Sequence, residues 1–183
     1  MFQVGFSMKQ GTISVLFGCH SLMHSLIVLI AWHKLYGRWP KWWQVVCILL
    51  HDIGHWGKDY LDNYEEKKRH GDLGAKIAGC LFGQKGYDLV AGHNPYNGQP
   101  RSKLHDPDKY SWVIAPLWWM MSNAVFESKL QRKGCTKRES AIMFKEAMRE
   151  NWKNGFQELG HEIYMKQWGY YQDKGKGGFN DSI

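Results

Sequence analysis

The sequence predicts an all-α fold, a compact helical bundle in a single domain. Apolar residues recur with helical periodicity along most of the chain, whereas the alternation of apolar and polar residues that indicates strands is scarce. Glycine and proline residues interrupt this pattern at intervals and mark the helix ends. The chain has 183 residues, enough to bury a core without disulfides. We expect a core over about residues 12–170 and a flexible, glycine-rich tail over 171–183.

The first two helices are predicted over residues 12–36 (or from residue 14) and 41–52. The segment Gly37-Arg38-Trp39-Pro40 separates them, because glycine ends helices and proline is tolerated in a first turn. The apolar stretch 13–32 is nearly long enough to cross a membrane, but histidine and serine residues interrupt it. Such residues are costly at membrane depth. We therefore expect a buried core helix and no membrane association.

Further helices are predicted over residues 71–81, 87–92, 108–129, 136–152 and 155–167. Two glycines directly after the second helix indicate a turn over 53–57. The charged segment 58–69 is expected to form a short exposed helix or a lid. The segment 94–107 contains three of the five prolines and is expected to be an irregular loop. Thr136 and Glu139 have the spacing of a capping box at a helix start.

The composition is that of a globular protein with a basic surface, 44% hydrophobic and 22% charged, with a formal net charge of +7. A positive charge attracts anionic substrates. The basic residues are spread along the chain and form no block, which disfavours nucleic-acid binding. Four cysteines are scattered without a Cys-x-x-Cys motif, and no secretory signal pattern is evident. These features predict free thiols and a cytoplasmic location.

The pair His51-Asp52 ends an apolar helical run and places two cation-binding side chains next to each other. Four further candidate ligands flank this pair, namely His20, His70, His93 and Asp108. Imidazole and carboxylate ligands together favour manganese, iron, nickel, cobalt or zinc. Six ligands are too many for one closed tetrahedral zinc site. They suit two ions that share the Asp52 carboxylate and leave room for water.

The choice of the first ligand rests on spacing. His20 and His24 are four residues apart on one face of the predicted first helix, so either side chain could reach the site. We favour His20, because a full helix and a turn then separate it from His51. His24 is then expected either to hydrogen-bond a ligand from behind or to line the pocket wall, where it would contact the substrate. Asp108 is favoured over Asp106 because it directly precedes a lysine.

The order of these residues resembles the HD-domain superfamily of metal-dependent phosphohydrolases, in its two-metal form. The segments that carry the resemblance are Gly18-Cys19-His20-Ser21-Leu22, Leu50-His51-Asp52-Ile53-Gly54, His70-Gly71-Asp72-Leu73-Gly74-Ala75, Val90-Ala91-Gly92-His93 and Leu104-His105-Asp106-Pro107-Asp108-Lys109. The last is similar to the Leu-x-x-Ala-Asp-Lys segment of the family. The resemblance covers about residues 17–125 and implies a helical bundle of the HD type.

The resemblance implies hydrolysis of a phosphoester or phosphoanhydride bond by a metal-activated water, with a nucleotide or cyclic nucleotide as substrate. Asp52 would bridge the two ions. His55 stands where many members of the family have a lysine, so either His55 or Lys58 is expected to take that catalytic role. Arg101 and Lys109 flank the loop before the last ligand and are expected to bind phosphate.

Two other functions stay open on the same residues. A minority of the superfamily has a similar ligand set but uses a mixed-valent di-iron centre to oxidise C–H or C–P bonds. A non-catalytic module that keeps the metal site as a structural or sensing element is the second alternative. The substrate, the native metal and the oligomeric state are not predicted, and a homo-oligomer is left open.

Overall fold

A computed structural model describes residues 16, 18–56, 68–95, 99–127 and 130–155. Over these residues all regular structure is helical, which confirms the all-α prediction. The α-helices in chain order are α1 (Leu22–Tyr36), α2 (Trp42–Leu50), α3 (Gly71–Phe82), α4 (Gln84–Ala91), α5 (His105–Ile114), α6 (Leu117–Phe126) and α7 (Lys137–Lys153). A 3-10 turn, Ile53–His55, follows α2. Most of the segment 58–69, predicted as a short exposed helix or a lid, lies outside the described residues, as do most of the predicted helix 155–167 and the whole tail 171–183.

Helix α1 begins later than the sequence predicts. Gly18 has a φ of 109°, a backbone conformation that favours glycine, and Ser21 is extended at φ −76° and ψ 176°. The chain therefore turns before the helix starts at Leu22. His20 lies in this turn, so the prediction that it shares a helix face with His24 is wrong.

The predicted helix 108–129 is two helices, α5 and α6. Helix α5 begins three residues earlier than predicted. Pro107 lies in its first turn, where proline is tolerated. The predicted helix is interrupted at Ala115, which is extended at φ −50° and ψ 135° because Pro116 disfavours a helical residue before it. Asp108 therefore lies within the first turn of α5 and not at its first residue.

Helix α1 contributes buried residues to two apolar clusters. Val28 and Trp32 belong to one cluster, which also contains residues of α2, α3 and α4. Ile27 belongs to the other, which contains residues of α6 and α7. Because neighbouring residues of α1 are buried on both sides, its rotation is fixed, and with it the direction of every polar side chain that it carries.

The start of α3 packs directly on the turn that follows α2. A Cβ atom on Gly74 would lie 2.2 Å from the carbonyl oxygen of Leu50, and one on Gly54 would lie 2.0 Å from that of His70. A side chain at either glycine would separate the two segments. The glycines around His51-Asp52 and in His70-Gly71-Asp72-Leu73-Gly74 thus allow the backbones to approach and bring His70 to Asp52.

The predicted capping box and the predicted free thiols both fall on described residues. Thr136 caps α7, accepting a hydrogen bond from the backbone of Glu139, whose side chain bonds back to Thr136, as the capping-box prediction requires. None of the four cysteines forms a disulfide; Cys19 and Cys47 are buried and Cys80 is exposed. None of the described helices combines the length and the apolar character needed to cross a membrane.

Candidate metal centre

Six buried side chains converge from the ends and starts of five helices. His24 comes from the first turn of α1, His51 and Asp52 follow α2, His70 precedes α3, His93 follows α4, and Asp108 lies in the first turn of α5. Helix termini, unlike helix middles, allow adjacent residues such as His51 and Asp52 to point the same way. The packing of the helices thus turns ligands from distant parts of the sequence into one cluster.

One oxygen of the Asp52 carboxylate faces three other ligand atoms. Asp52 Oδ2 lies 3.3 Å from the Nε2 atoms of both His24 and His51. Asp108 Oδ1 lies 2.9 Å from His24 Nε2 and 3.6 Å from His51 Nε2. We call these four residues, His24, His51, Asp52 and Asp108, the Oδ2 group. They form a buried set of two imidazole nitrogens and two carboxylate oxygens that could hold a metal ion.

The other oxygen of Asp52 faces a second set. Asp52 Oδ1 lies 3.3 Å from His70 Nε2 and 3.6 Å from His93 Nε2, and these two nitrogens are 2.9 Å apart. We call Asp52, His70 and His93 the Oδ1 group, which is also buried and could hold a metal ion. The two oxygens of one carboxylate are therefore directed at two different sets of nitrogen atoms.

These distances match ligands of a common ion. Metal–ligand bonds of about 2.0–2.2 Å place two ligand atoms of one ion about 2.8–3.6 Å apart, for bond angles between about 90° and about 109°. The measured separations between ligand atoms run from 2.9 to 3.6 Å in both groups. The residues present thus fit divalent transition-metal ions, and the cluster is compatible with an HD-type site.

Hydrogen bonds at the far side of the His51 and His93 rings direct the inner nitrogens of these rings at the cluster. The Nδ1 atom of His51 donates to the carbonyl oxygen of Ile48, and that of His93 donates to Val90, each at 2.5 Å. A neutral ring with its proton on Nδ1 has a lone pair on Nε2. His51 Nε2 is fully buried and has no hydrogen-bond partner among the described residues, which fits a metal ligand.

His24 and His70 have side-chain partners instead. Ser111 donates its hydroxyl proton to the carbonyl oxygen of Asp108 at 2.5 Å, so its oxygen can accept from His24 Nδ1 at 3.4 Å. His70 Nδ1 lies 3.3 Å from the side-chain amide of Asn94. These partners orient the rings with Nε2 directed at Asp52. Neither Ser111 nor Asn94 is among the residues that the sequence predicts for the site, although each is within three residues of a predicted ligand.

The electrostatics of the cluster follow from its two carboxylates. Burial opposes their ionisation, but His51 and His20 lower the pKa of Asp52 well below its usual range, and Lys109 and the histidines do the same for Asp108. Burial alone would lower the pKa of His51, yet the two carboxylates raise it to about 10. Burial lowers the pKa of His93 to about 4.

Two further histidines line the side of the cluster that is nearest to solvent. His20 Nδ1 lies 2.7 Å from Asp52 Oδ2, and its ring stacks on that of His55 at 3.7 Å. His55 stacks in turn on His70 at 4.1 Å. The His20 side chain is 16% exposed, against at most 8% for the other five histidines of the cluster. We call Asp52, His20 and His55 the mouth group; it too could hold a cation.

The structure places the remaining predicted site residues as follows. Lys109 is buried and donates to Asp108 Oδ2 at 2.7 Å, which turns Oδ1 of that carboxylate toward the histidines. Arg101 is exposed and donates to the carbonyl oxygen of Gly155. Lys58 lies outside the described residues.

The positions of His20 and His24 bear on the choice made between them from the sequence. The structure places His24, which was assigned to substrate, within the Oδ2 group. It places His20, which was assigned as a ligand, in the mouth group, where it also contacts Asp52. Which of the two binds a metal stays a prediction.

No protein-family model, curated protein or solved structure matches this chain.

Proposed function

We propose that this chain is a metal-dependent hydrolase of phosphoester or phosphoanhydride bonds. The observation that carries the proposal is the orientation of the Asp52 carboxylate. Its Oδ2 faces His24 and His51, while its Oδ1 faces His70 and His93. A carboxylate between two sets of imidazoles is what a site for two adjacent ions requires. When bound, a pair of such ions supplies an activated water and stabilises charge on phosphoryl oxygens.

The protein contributes a buried set of ligand atoms that hydrogen bonds hold in place. The ring tautomers of His51 and His93 are fixed by backbone carbonyls, and Lys109 holds Asp108, so the ligand atoms need not reorganise when a substrate binds. The mouth group leaves its His20 side open to solvent, and a phosphorylated substrate would approach past this ring. The net charge of +7 favours the approach of an anionic substrate such as a nucleotide.

His55 occupies the position at which many HD-type enzymes carry a lysine, and its surroundings suggest a different use. Its side chain is 3% exposed and lies between the rings of His20 and His70. In the proposed enzyme, His55 therefore orients these two rings. It does not need to reach a substrate itself.

The proposal is tested by metal analysis and a substrate screen on purified protein. We expect about two transition-metal ions per chain and hydrolysis of at least one member of a panel of nucleoside monophosphates and triphosphates, cyclic mononucleotides and dinucleotides, and bis(p-nitrophenyl) phosphate. Asp52→Ala is expected to abolish both. Metal-loaded protein that cleaves no phosphate bond in the panel would contradict the proposal.

A second candidate, a di-iron oxygenase, is favoured by one observation. The two groups offer four imidazole nitrogens against two carboxylates, a donor set that suits iron. Two irons per chain together with substrate-dependent oxygen uptake, and no release of phosphate from the panel, would identify this function instead.

A further inference from the structure

A buried glutamate outside the metal centre holds the turn that carries His20. Glu127, directly after α6, is 0% exposed and accepts two hydrogen bonds from Cys19. Its Oε1 accepts from the backbone N–H of Cys19 at 2.8 Å, and its Oε2 accepts from the thiol at 3.0 Å. A buried carboxylate is costly unless its charge is satisfied, so this contact needs an explanation.

Further hydrogen bonds involve the backbone of the turn. Gly18 has a φ of 109°, and the backbone N–H of Ser21 bonds to the Gly18 carbonyl oxygen at 3.3 Å, a long hydrogen bond. The carbonyl oxygen of His20 accepts from the indole N–H of Trp56 at 3.0 Å. Glu127 thus fixes one end of the turn to the helical core, and Trp56 fixes the other end beside the metal centre.

The consequence falls on His20. Its Nδ1 must stay 2.7 Å from Asp52 Oδ2 while its side chain remains the most solvent-exposed of the cluster. A small rotation of the turn at Cys19 would move the ring away from Asp52. We propose that Glu127 is a positioning residue, which sets His20 on Asp52 by gripping the neighbouring Cys19. The inference rests on the proposed function, because His20 acts there at the substrate side of the site.

The test is a double-mutant cycle with Glu127→Gln, which keeps the size of the side chain but takes away the acceptor of the thiol proton. His20→Ala and the double variant complete the cycle, each loaded with manganese and assayed on bis(p-nitrophenyl) phosphate. We expect Glu127→Gln to lower kcat by about tenfold and His20→Ala by about a hundredfold, with little change in KM. The double variant should be no slower than His20→Ala.

Independent action of the two residues would overturn the proposal. In that case the double variant would be about tenfold slower than His20→Ala, since unconnected effects on the barrier add. An unchanged kcat in Glu127→Gln would overturn it as well. Thr136→Ala, which removes the cap of α7 and touches none of the cluster residues, is the matched control, and its effect should combine additively with His20→Ala.

An NMR measurement that does not depend on catalysis tests the positioning role of Glu127 independently of the proposed function. In the metal-free protein, the ¹⁵N chemical shifts of the His20 ring report its hydrogen bond to Asp52. Glu127→Gln should shift the His20 resonances and leave those of His93 unchanged. Unchanged His20 shifts would contradict the positioning role even if the wild-type protein cleaves no phosphate bond. Should Glu127→Gln fail to fold, Cys19→Ala removes the thiol contact and is expected to shift the same resonances.

Discussion

The Oδ2 and Oδ1 groups share Asp52 but are assembled in different ways. The Oδ2 group joins α1, the end of α2 and the start of α5, and its contact between His24 and Asp108 spans 84 residues of sequence. The Oδ1 group takes its histidines from the two outer ends of the α3–α4 pair, 23 residues apart. The Oδ2 group contains two carboxylates, whereas the Oδ1 group has only the shared one.

This difference indicates which of the two groups should bind its ion more tightly. The Oδ2 group has a carboxylate of its own, Asp108, in addition to the shared Asp52, so it offsets more of the charge of a divalent ion than the Oδ1 group does. We therefore expect the Oδ2 group to bind its ion first and the Oδ1 group to bind more weakly and to lose its ion first under a chelator. The five predictions below test this comparison.

Replacing the shared residue should have the largest effect. Asp52→Asn removes the charge between the two groups, and we expect metal content to fall from about two ions to near zero and hydrolysis to fall by about a thousandfold or more. Metal analysis and kinetics on the purified variant measure both. Asp72→Asn is the matched control, because Asp72 pairs with Arg69 on the partly exposed start of α3. Retention of both ions by Asp52→Asn would contradict the shared role.

Single histidine variants should separate the two groups. We expect His24→Ala to lose the tightly bound ion and His93→Ala to lose only the weakly bound one, with calorimetric metal titrations reporting each step. His20→Ala should keep both ions, because the structure places this ring in the mouth group. If His20→Ala loses the tight ion and His24→Ala does not, the ligand predicted from the sequence is the correct one.

The side chains behind the ligands should have smaller, selective effects. Ser111→Ala removes the partner of His24, and Asn94→Ala removes that of His70. We expect each to weaken one ion by about tenfold, in the Oδ2 group and the Oδ1 group respectively, since such partners orient ligand rings. Competition with a fluorescent chelator measures both affinities. If either variant lost metal affinity equally at both sites, the result would argue against two separate groups.

The two groups should also give the metal-free protein a characteristic pH dependence. In the Oδ2 group the raised pKa of His51, about 10, stabilises the fold fully below pH 6.5, and this contribution is lost as the pH rises toward 10. In the Oδ1 group the lowered pKa of His93, about 4, gives a contribution that is present above pH 6.5 and is lost as the pH falls toward 4.

From these two residues, the free energy of unfolding should be highest near pH 6.5 and decline on both sides, by up to about 1.4 kcal/mol per pH unit. Chemical denaturation at a series of pH values measures the curve. Added metal should reverse the decline above pH 6.5, because His51 must lose its proton to bind an ion. A metal-free protein that becomes steadily more stable from pH 6.5 to 9 would contradict this account of His51.

The smallest effect is expected far from both groups. Thr136→Ala should lower the free energy of unfolding by about 1 kcal/mol through loss of the α7 cap. Metal content and kcat should not change. A loss of metal in this variant would show that both groups depend on overall stability, and would remove the contrast between them.

Much of the fold was predictable because its helix boundaries have local causes. Gly37 and Gly83 end α1 and α3 at positive φ, and Thr136 begins α7 with a capping box. The errors also have identifiable causes. The division of the predicted helix 108–129 depends on Pro116, which was visible in the sequence. The late start of α1 depends on Gly18, whose φ of 109° a sequence does not reveal.

The residue types of the site could be predicted from the sequence, but the contacts between these residues could not. The adjacent His51 and Asp52 at the end of an apolar run indicate ligands, and the structure brings the other five predicted ligands close to Asp52. The separate directions of the Asp52 oxygens could not be predicted, since they follow from the packing of α1, α3 and α5. Glu127 gave no signal either, because it contacts Cys19 across 108 residues of sequence.

The most direct test of the central claim is an anomalous-scattering map from crystals of the manganese-loaded protein. Two peaks are expected, one beside Asp52 Oδ2 among His24, His51 and Asp108, and a weaker one beside Asp52 Oδ1 between His70 and His93. A single peak, or two peaks that are not both ligated by Asp52, would contradict the claim that one carboxylate serves two ions.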